Sequence, residues 1–114
     1  MNDEVSHLLD GTSMQYTYSE MGTVQTSYND GRISFEWLKG PLQGQTGGGF
    51  IYRSREVGEY QFLANWHEPD PPGFVTLFID FKAGQVHSSL IAAYGSDEEQ
   101  IHFDSASIDT VKRA

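Results

Sequence analysis

Turn sequences divide this chain into short strand-like runs, and almost none of it has the spacing of an amphipathic helix. The strongest turn is Asn29-Asp30-Gly31-Arg32, because Asp-Gly supplies the positive φ angles that a tight hairpin requires. Eight consecutive antiparallel strands with short connections can close into an up-and-down barrel. The sequence therefore predicts an all-β, eight-stranded barrel over residues 13–111, after an N-terminal segment (1–12) and before a tail (112–114). The predicted strands are Met14–Ser19, Thr23–Tyr28, Ile33–Leu38, Gly49–Ser54, Tyr60–Glu68, Phe74–Phe81, Gln85–Tyr94 and Gln100–Val111.

Composition narrows the classes of function. A chain of 114 residues is expected to form one domain, and its lack of cysteine excludes disulfides, thiolate nucleophiles and Cys-based metal sites. The net charge of −9 argues against nucleic acid and anionic membranes as partners. The four histidines have no ligand-like spacing, so no metal site is predicted. The N-terminus is acidic where a signal peptide is basic, which favours a cytoplasmic location.

The segment Trp66-His67-Glu68-Pro69 ends the fifth predicted strand. At period two, Tyr60, Phe62, Ala64, Trp66 and Glu68 fall on one face, which places a carboxylate behind a row of apolar side chains. Such a carboxylate would be poorly solvated and could exchange protons near neutral pH. The alternative interpretation is a core strand whose last residue has simply reached solvent.

Two further patterns allow more than one interpretation. Tyr16 and Tyr18 project on one face of the first strand. Their hydroxyl groups can together hydrogen-bond a ligand oxygen. Alternatively, both rings are half-buried and their hydroxyl groups are exposed to solvent. The tract Gly44-Gln45-Thr46-Gly47-Gly48-Gly49 lacks the Lys-Ser/Thr pair and the following helix of a phosphate loop. It is interpreted as a bulge, a sharp barrel corner or a mobile lid.

Taken with Tyr16-Thr17-Tyr18, Asn29-Asp30 and the spacing from Gly40 to Gly44, the Trp-His-Glu-Pro segment resembles a motif of the phenolic acid decarboxylases and the related MoaF-type lipocalin-like domains. The resemblance covers roughly residues 10–92. It implies a calycin-type barrel with a ligand cavity, often dimeric and without a cofactor. It also implies that Tyr16 and Tyr18 bind the polar end of a para-hydroxycinnamic acid while Glu68 transfers protons.

One departure from the family is important. Where the decarboxylases have an arginine in a Gly-Arg-Trp motif, this chain has Gly44, Gln45 and Thr46. A neutral amide cannot stabilise a developing anion as a guanidinium does. The departure argues against decarboxylation of phenolic acids and makes the MoaF-type domains the closer comparison.

Three functions are consistent with these patterns. The first is a barrel that binds a small aromatic or hydrophobic molecule, and the second is a cofactor-free carbon–carbon lyase that uses Glu68, Tyr16 and Tyr18. The third is a dimeric interaction module with a filled barrel, because the strands Phe74–Phe81 and Gln85–Tyr94 carry apolar residues on both faces. A homodimer is expected. The candidate ligand-contacting residues are Tyr60, Phe62, Trp66, Gln45, Thr76 and Leu90.

Overall fold

The computed structural model describes residues 6–70 and 72–113 and consists of eight antiparallel strands. They pair in chain order, and β1 pairs with β8, so the sheet closes into a barrel as the sequence predicts. No helix in the described residues is long and apolar enough to cross a membrane. The strands are β1 (Ser13–Tyr18), β2 (Gly22–Asn29), β3 (Arg32–Trp37), β4 (Thr46–Gly58), β5 (Gln61–Pro69), β6 (Pro72–Asp80), β7 (Gln85–Ala92) and β8 (Gln100–Lys112).

The two longest strands, β4 and β8, each change their pairing partner along their length. The first part of β4, Thr46–Ile51, pairs with β3, and the second part, Tyr52–Gly58, pairs with β5. In the same way β8 pairs with β7 through Gln100–Ser107 and with β1 through Ala106–Lys112. The barrel is flattened, with extents of 38 × 37 × 22 Å.

Glycines allow β4 to bend where it changes partner. The register shifts opposite Ile33 and Ser34, so that Gly49, at a φ of 76°, is left without a partner in the β3 ladder. A Cβ atom at Gly48 would lie 2.5 Å from Ser34 Oγ, and one at Gly47 would lie 2.5 Å from Phe35 Cζ. Of the three interpretations of this tract, the structure has the bulge, and glycine is required because the neighbouring strand approaches so closely.

The N-terminal segment closes one end of the barrel, here called the closed end. Leu9 is fully buried, and Tyr28 N–H donates to Thr12 O, so the described part of the segment acts as a plug. The side chains that fill this end are large and fully buried: Leu9, Met14, Tyr28, Ile33, Tyr52, Leu77, Ile79 and Val86.

A tyrosine hydroxyl holds the plug to the barrel wall. The Leu9 N–H donates to Tyr52 Oη at 3.1 Å, and that hydroxyl donates to Asp10 Oδ1 at 2.8 Å. The Asp10 carboxylate also accepts from the Gly31 N–H. The ring of Tyr28 packs edge-on against Tyr52, with 4.9 Å between centroids, yet its buried hydroxyl has no hydrogen-bond partner among the described residues.

These two neighbouring tyrosines are expected to respond oppositely to loss of the hydroxyl group. Tyr52→Phe leaves the Leu9 N–H unpaired and should lower the free energy of unfolding by ~1–3 kcal/mol. Tyr28→Phe removes a buried hydroxyl whose neighbour, the Thr26 hydroxyl, lies outside hydrogen-bond geometry, so stability should change little or rise. Urea denaturation followed by circular dichroism measures both, and equal losses in the two variants would contradict this account of the plug.

Candidate ligand-binding site

The end of the barrel opposite the plug is here called the loop end. The connections β1–β2, β3–β4, β5–β6 and β7–β8 all lie there, because consecutive strands run antiparallel. Phe35 and Trp37 are inward aromatic side chains that are only half-buried, and both pack against the core at this end. An eight-stranded barrel is large enough to hold one small ligand, and the loop end is the candidate position for it.

Strand β5 brings Trp66 and Glu68 to the loop end on the inner face. Phe62, Ala64 and Trp66 are buried, and Glu68 is half-buried two residues further along the same face. Trp66 Nε1–H donates to Glu68 Oε2 at 2.8 Å, which fixes the carboxylate against the indole. The predicted sharing of one face by Phe62, Trp66 and Glu68 is thus confirmed, and Glu68 is not a freely solvated strand end.

Tyr60 does not belong to this face, so that part of the prediction is wrong. It lies before β5 in the β4–β5 turn, with a φ of 59°, and its side chain is 58% exposed at the closed end. A positive φ takes the residue out of the strand geometry on which the period-two pattern depends.

Tyr16 and Tyr18 both point inward from β1, and their rings meet edge-to-face at 5.7 Å. The two side chains have different neighbours, however. Burial, followed by the closeness of Tyr18 and Tyr28, raises the pKa of Tyr16 well above its usual value. Burial also raises the pKa of Tyr18, partly offset by a hydrogen bond with Ser88, while the nearby Asp104 raises it further.

Ser88 and Asp104 are site residues that the sequence did not single out. They face each other across the β7–β8 ladder, and each lies on the inward face of its strand with a buried neighbour two residues away, Val86 and Ala106 respectively. The signal available in the sequence was a polar residue two positions from an apolar one on the same strand, which places both on one face. It was missed because the inward face of β7 and β8 could not be identified from sequence.

Two adjoining clefts of about 430 Å³ each open beside the loop-end half of β8. One is bounded by Ser88 and Asp104 together with Ser19, His87, Phe103 and Ser105. The other runs along the outer surface beside Thr17, Gln85 and Ser107. Neither is lined by Trp66, Phe62 or Glu68, and only the first is bounded by Ser88 and Asp104, the two polar neighbours of Tyr18.

The remaining candidate residues divide between the two faces. Leu90 lies opposite Val75 on the inner face of β7, as a ligand-contacting residue requires. Thr76 shares the outer face of β6 with Phe74 and Phe78, so its assignment as a cavity residue is wrong. The adjacent Val75, Leu77 and Ile79 are the inward residues of that strand.

Gln45 lies outside the strands, in the connection before β4, and is exposed. Its carbonyl oxygen accepts from the Trp37 N–H at 2.9 Å, so its main chain closes the loop at the end of β3. The described residues contain no group of three or more His, Cys, Asp or Glu placed to hold a metal ion.

Comparison with known proteins gives the fold alone. No family model matches the chain, and no curated protein matches it. Among solved structures, the chain is similar to the crystal structure of a "putative beta-lactamase" from Burkholderia vietnamiensis, at 20% identity and a TM-score of 0.78. The similarity covers 97% of this chain and all of that one.

The buried tyrosines predict that the free energy of unfolding falls as the pH becomes alkaline. In Tyr16, Tyr18, Tyr28 and Tyr52 the folded-state pKa is raised, chiefly by burial. A raised pKa means that the stabilisation is complete below the unfolded value of about 10 and is lost as the pH rises through the folded values. Four of the six tyrosines are thus expected to ionise only with unfolding, so that phenolate absorbance and loss of circular dichroism change together. Ionisation of all six with the barrel intact would contradict this.

Proposed function

We propose that the barrel binds a small aromatic or hydrophobic molecule at its loop end. The observation that carries the proposal is the composition of the loop end: half-buried Phe35 and Trp37 lie there with inward polar groups, and among the described residues no segment like the plug covers them. Concave sites lined by aromatic side chains with a few fixed polar groups are the usual form of small-molecule sites. The resemblance to MoaF-type domains agrees with this function, and a cytoplasmic location stays a prediction.

The polar groups favour a neutral or cationic ligand over an anionic one. Glu68 lies on one side of the interior and Asp104 on another, and Tyr18, with its raised pKa, offers a protonated hydroxyl group. In the described strands no lysine or arginine occupies an inward position at the loop end. A ligand carboxylate would therefore meet two carboxylates without a compensating cation, while a ligand hydroxyl or amine could donate to either.

Intrinsic fluorescence provides the test, because both tryptophans of the chain, Trp37 and Trp66, lie at the loop end. Neutral aromatic alcohols and amines are expected to quench this fluorescence on titration, and to do so at about tenfold lower concentration than the matched aromatic carboxylates. Glu68→Gln should weaken binding of the amines most, because it removes the carboxylate that accepts their hydrogen bonds.

Glu56→Gln is the matched control for that titration. Glu56 is an exposed residue of β4 near the closed end, so the same chemical change should leave quenching unaltered. Equal effects of the two variants, or no quenching by any compound of the series, would refute a binding site at the loop end.

A cofactor-free carbon–carbon lyase is the second candidate. The observation in its favour is the hydrogen bond from Trp66, which holds the Glu68 carboxylate on the inner face where a bound substrate could exchange a proton with it. The exposed Gln45 supplies no cation, so an anionic transition state would have to be stabilised by hydroxyl groups such as that of Tyr18.

In this candidate, the ultraviolet absorbance of para-hydroxycinnamic acids should fall on incubation with the protein and stay constant with Glu68→Gln. The conservative variant keeps the size of the side chain and removes only the titrating oxygen, so a difference reports proton transfer. Unchanged absorbance with the native chain discards decarboxylation of these acids and leaves the binding function untouched.

Hydrolysis of a β-lactam, the activity in the name of the structural neighbour, has weaker support. The sequence has no Ser-x-x-Lys pattern, which supplies the nucleophile of serine β-lactamases. A similarity at 20% identity carries the fold and not the chemistry.

A further inference from the structure

Part of β8 forms one of the free edges of the barrel wall. Strand β8 pairs with β7 from Gln100 onward, but its pairing with β1 begins only at Ala106, opposite Tyr18 at the end of β1. Residues 101–105 therefore have a strand on one side only, within the described part of the chain. An edge of this kind presents unpaired N–H and C=O groups that can accept another strand.

The direction of the backbone groups on this edge follows from two hydrogen bonds. Ile108 N–H donates to Gly84 O, which precedes β7, so even-numbered residues of β8 direct their backbone groups towards β7. Ser105 N–H instead donates to the neighbouring Asp104 side chain. Because the direction alternates along a strand, Ile101, Phe103 and Ser105 direct their N–H and C=O groups to the free edge.

The outer face of this edge is apolar to an unusual degree. Phe103 is 85% exposed and Ile101 is 62% exposed, the two highest values among the large hydrophobic side chains. Free edges in soluble proteins are usually protected by lysine, proline, a bulge or an inward-pointing charge. Of these, residues 101–105 carry only the inward-pointing Asp104.

We propose that a second copy of this chain pairs with this edge, β8 against β8 in antiparallel register, about a twofold axis at Phe103. In that register Phe103 opposes Phe103 of the other copy, and Ile101 opposes Ser105. Each of these pairs has backbone groups directed at its partner. The Ser105 N–H must leave its Asp104 acceptor to join the ladder, and this exchange frees the Asp104 carboxylate. The β5–β8 part of the wall then continues across the axis, and the two exposed phenylalanine rings bury each other.

Charge complementarity selects this register over its neighbours. With the axis at Phe103, the His102 imidazole of each copy lies opposite the Asp104 carboxylate of the other, which pairs a donor with an acceptor twice by symmetry. Moving the axis to Asp104 would place two carboxylates opposite each other. Moving it to His102 would place two imidazoles together and leave Asp104 opposite Gln100. Only the Phe103 register pairs both groups.

The dimer would also complete the wall of the barrel. The cleft lined by Ser88 and Asp104 opens beside the same free edge, so the strand of the second copy would cover it. The proposal does not depend on the ligand-binding function, because it follows from the backbone and side chains of the edge itself.

Cross-linking at the axis tests the geometry. The chain has no cysteine, so Phe103→Cys introduces a single thiol that meets its own copy across an antiparallel pair, at a Cα separation of about 5.5 Å. Mild oxidation is expected to convert this variant to a covalent dimer on a non-reducing gel. The control is Leu63→Cys, which replaces an exposed apolar residue (38%) in β5, away from the edge, and should remain monomeric on the gel.

Sedimentation velocity across a concentration series tests the register. The native chain should show a reversible monomer–dimer equilibrium. His102→Asp should raise the dimer Kd about tenfold, because it replaces two favourable pairs with repulsive ones. The exchange variant His102→Asp with Asp104→His should restore the native Kd to within about threefold, because the pairs are then only reversed.

Three outcomes would overturn the proposal. A native chain that stays monomeric to near-millimolar concentration has no such interface. A dimer in which Phe103→Cys does not cross-link uses another surface, such as the outer faces of β6 and β7. If the dimer cross-links but its Kd is the same in the native chain and in both charge variants, the strands pair in a different register.

Discussion

Each strand of this protein pairs with a neighbouring strand on both sides, and closure of the sheet between β1 and β8 provides the last of these pairings, although not along the whole of β8. Because β1 has only six residues and β8 has thirteen, closure satisfies one half of β8 and leaves the other half paired to β7 alone. The shape of the barrel follows from this mismatch. The long strands β4 and β8 pass from one part of the wall to the other, and the glycine bulge in β4 allows the bend.

The same arrangement separates structural and functional regions. At the closed end the N-terminal segment covers the interior, and the Tyr52 hydroxyl satisfies the backbone of that plug. At the loop end no comparable segment fills the barrel among the described residues, and β4 and β5 are no longer paired beyond Tyr52 and Trp66. Aromatic rings and carboxylates at this end remain partly accessible because less of the wall is there to bury them.

The proposed binding site and the proposed dimer edge meet at Asp104. Its carboxylate lies near Tyr18 on the inner side and would lie opposite His102 of a second copy at the edge. Binding and association would then share one charged group, so each would change the free energy of the other. This physical connection is the reason to measure ligand affinity and oligomeric state on the same preparation.

Much of this could be predicted from local sequence, since the Asp-Gly turn, the alternation along β5 and the absence of helical spacing specify strands and their order. Period two also places Trp66 and Glu68 together, and Tyr16 with Tyr18, because residues two apart on a strand always share a face. The local pattern could not reveal that Tyr60 has a positive φ and so lies outside the strand, or that Thr76 faces outward. Nor could it reveal that Ser88 and Asp104 lie beside Tyr18.

Local sequence thus specifies the all-β class, the number of strands and which neighbours along a strand share a face, because those properties depend on turns and alternation within a few residues. Three further properties depend on the complete fold: which face of each strand is inside, which end of the barrel is filled, and where β8 runs beyond β1. These depend on pairing between segments up to 99 residues apart, as in the contact of Ser13 with Lys112. Their register is set by closure of the whole barrel and not by any local pattern.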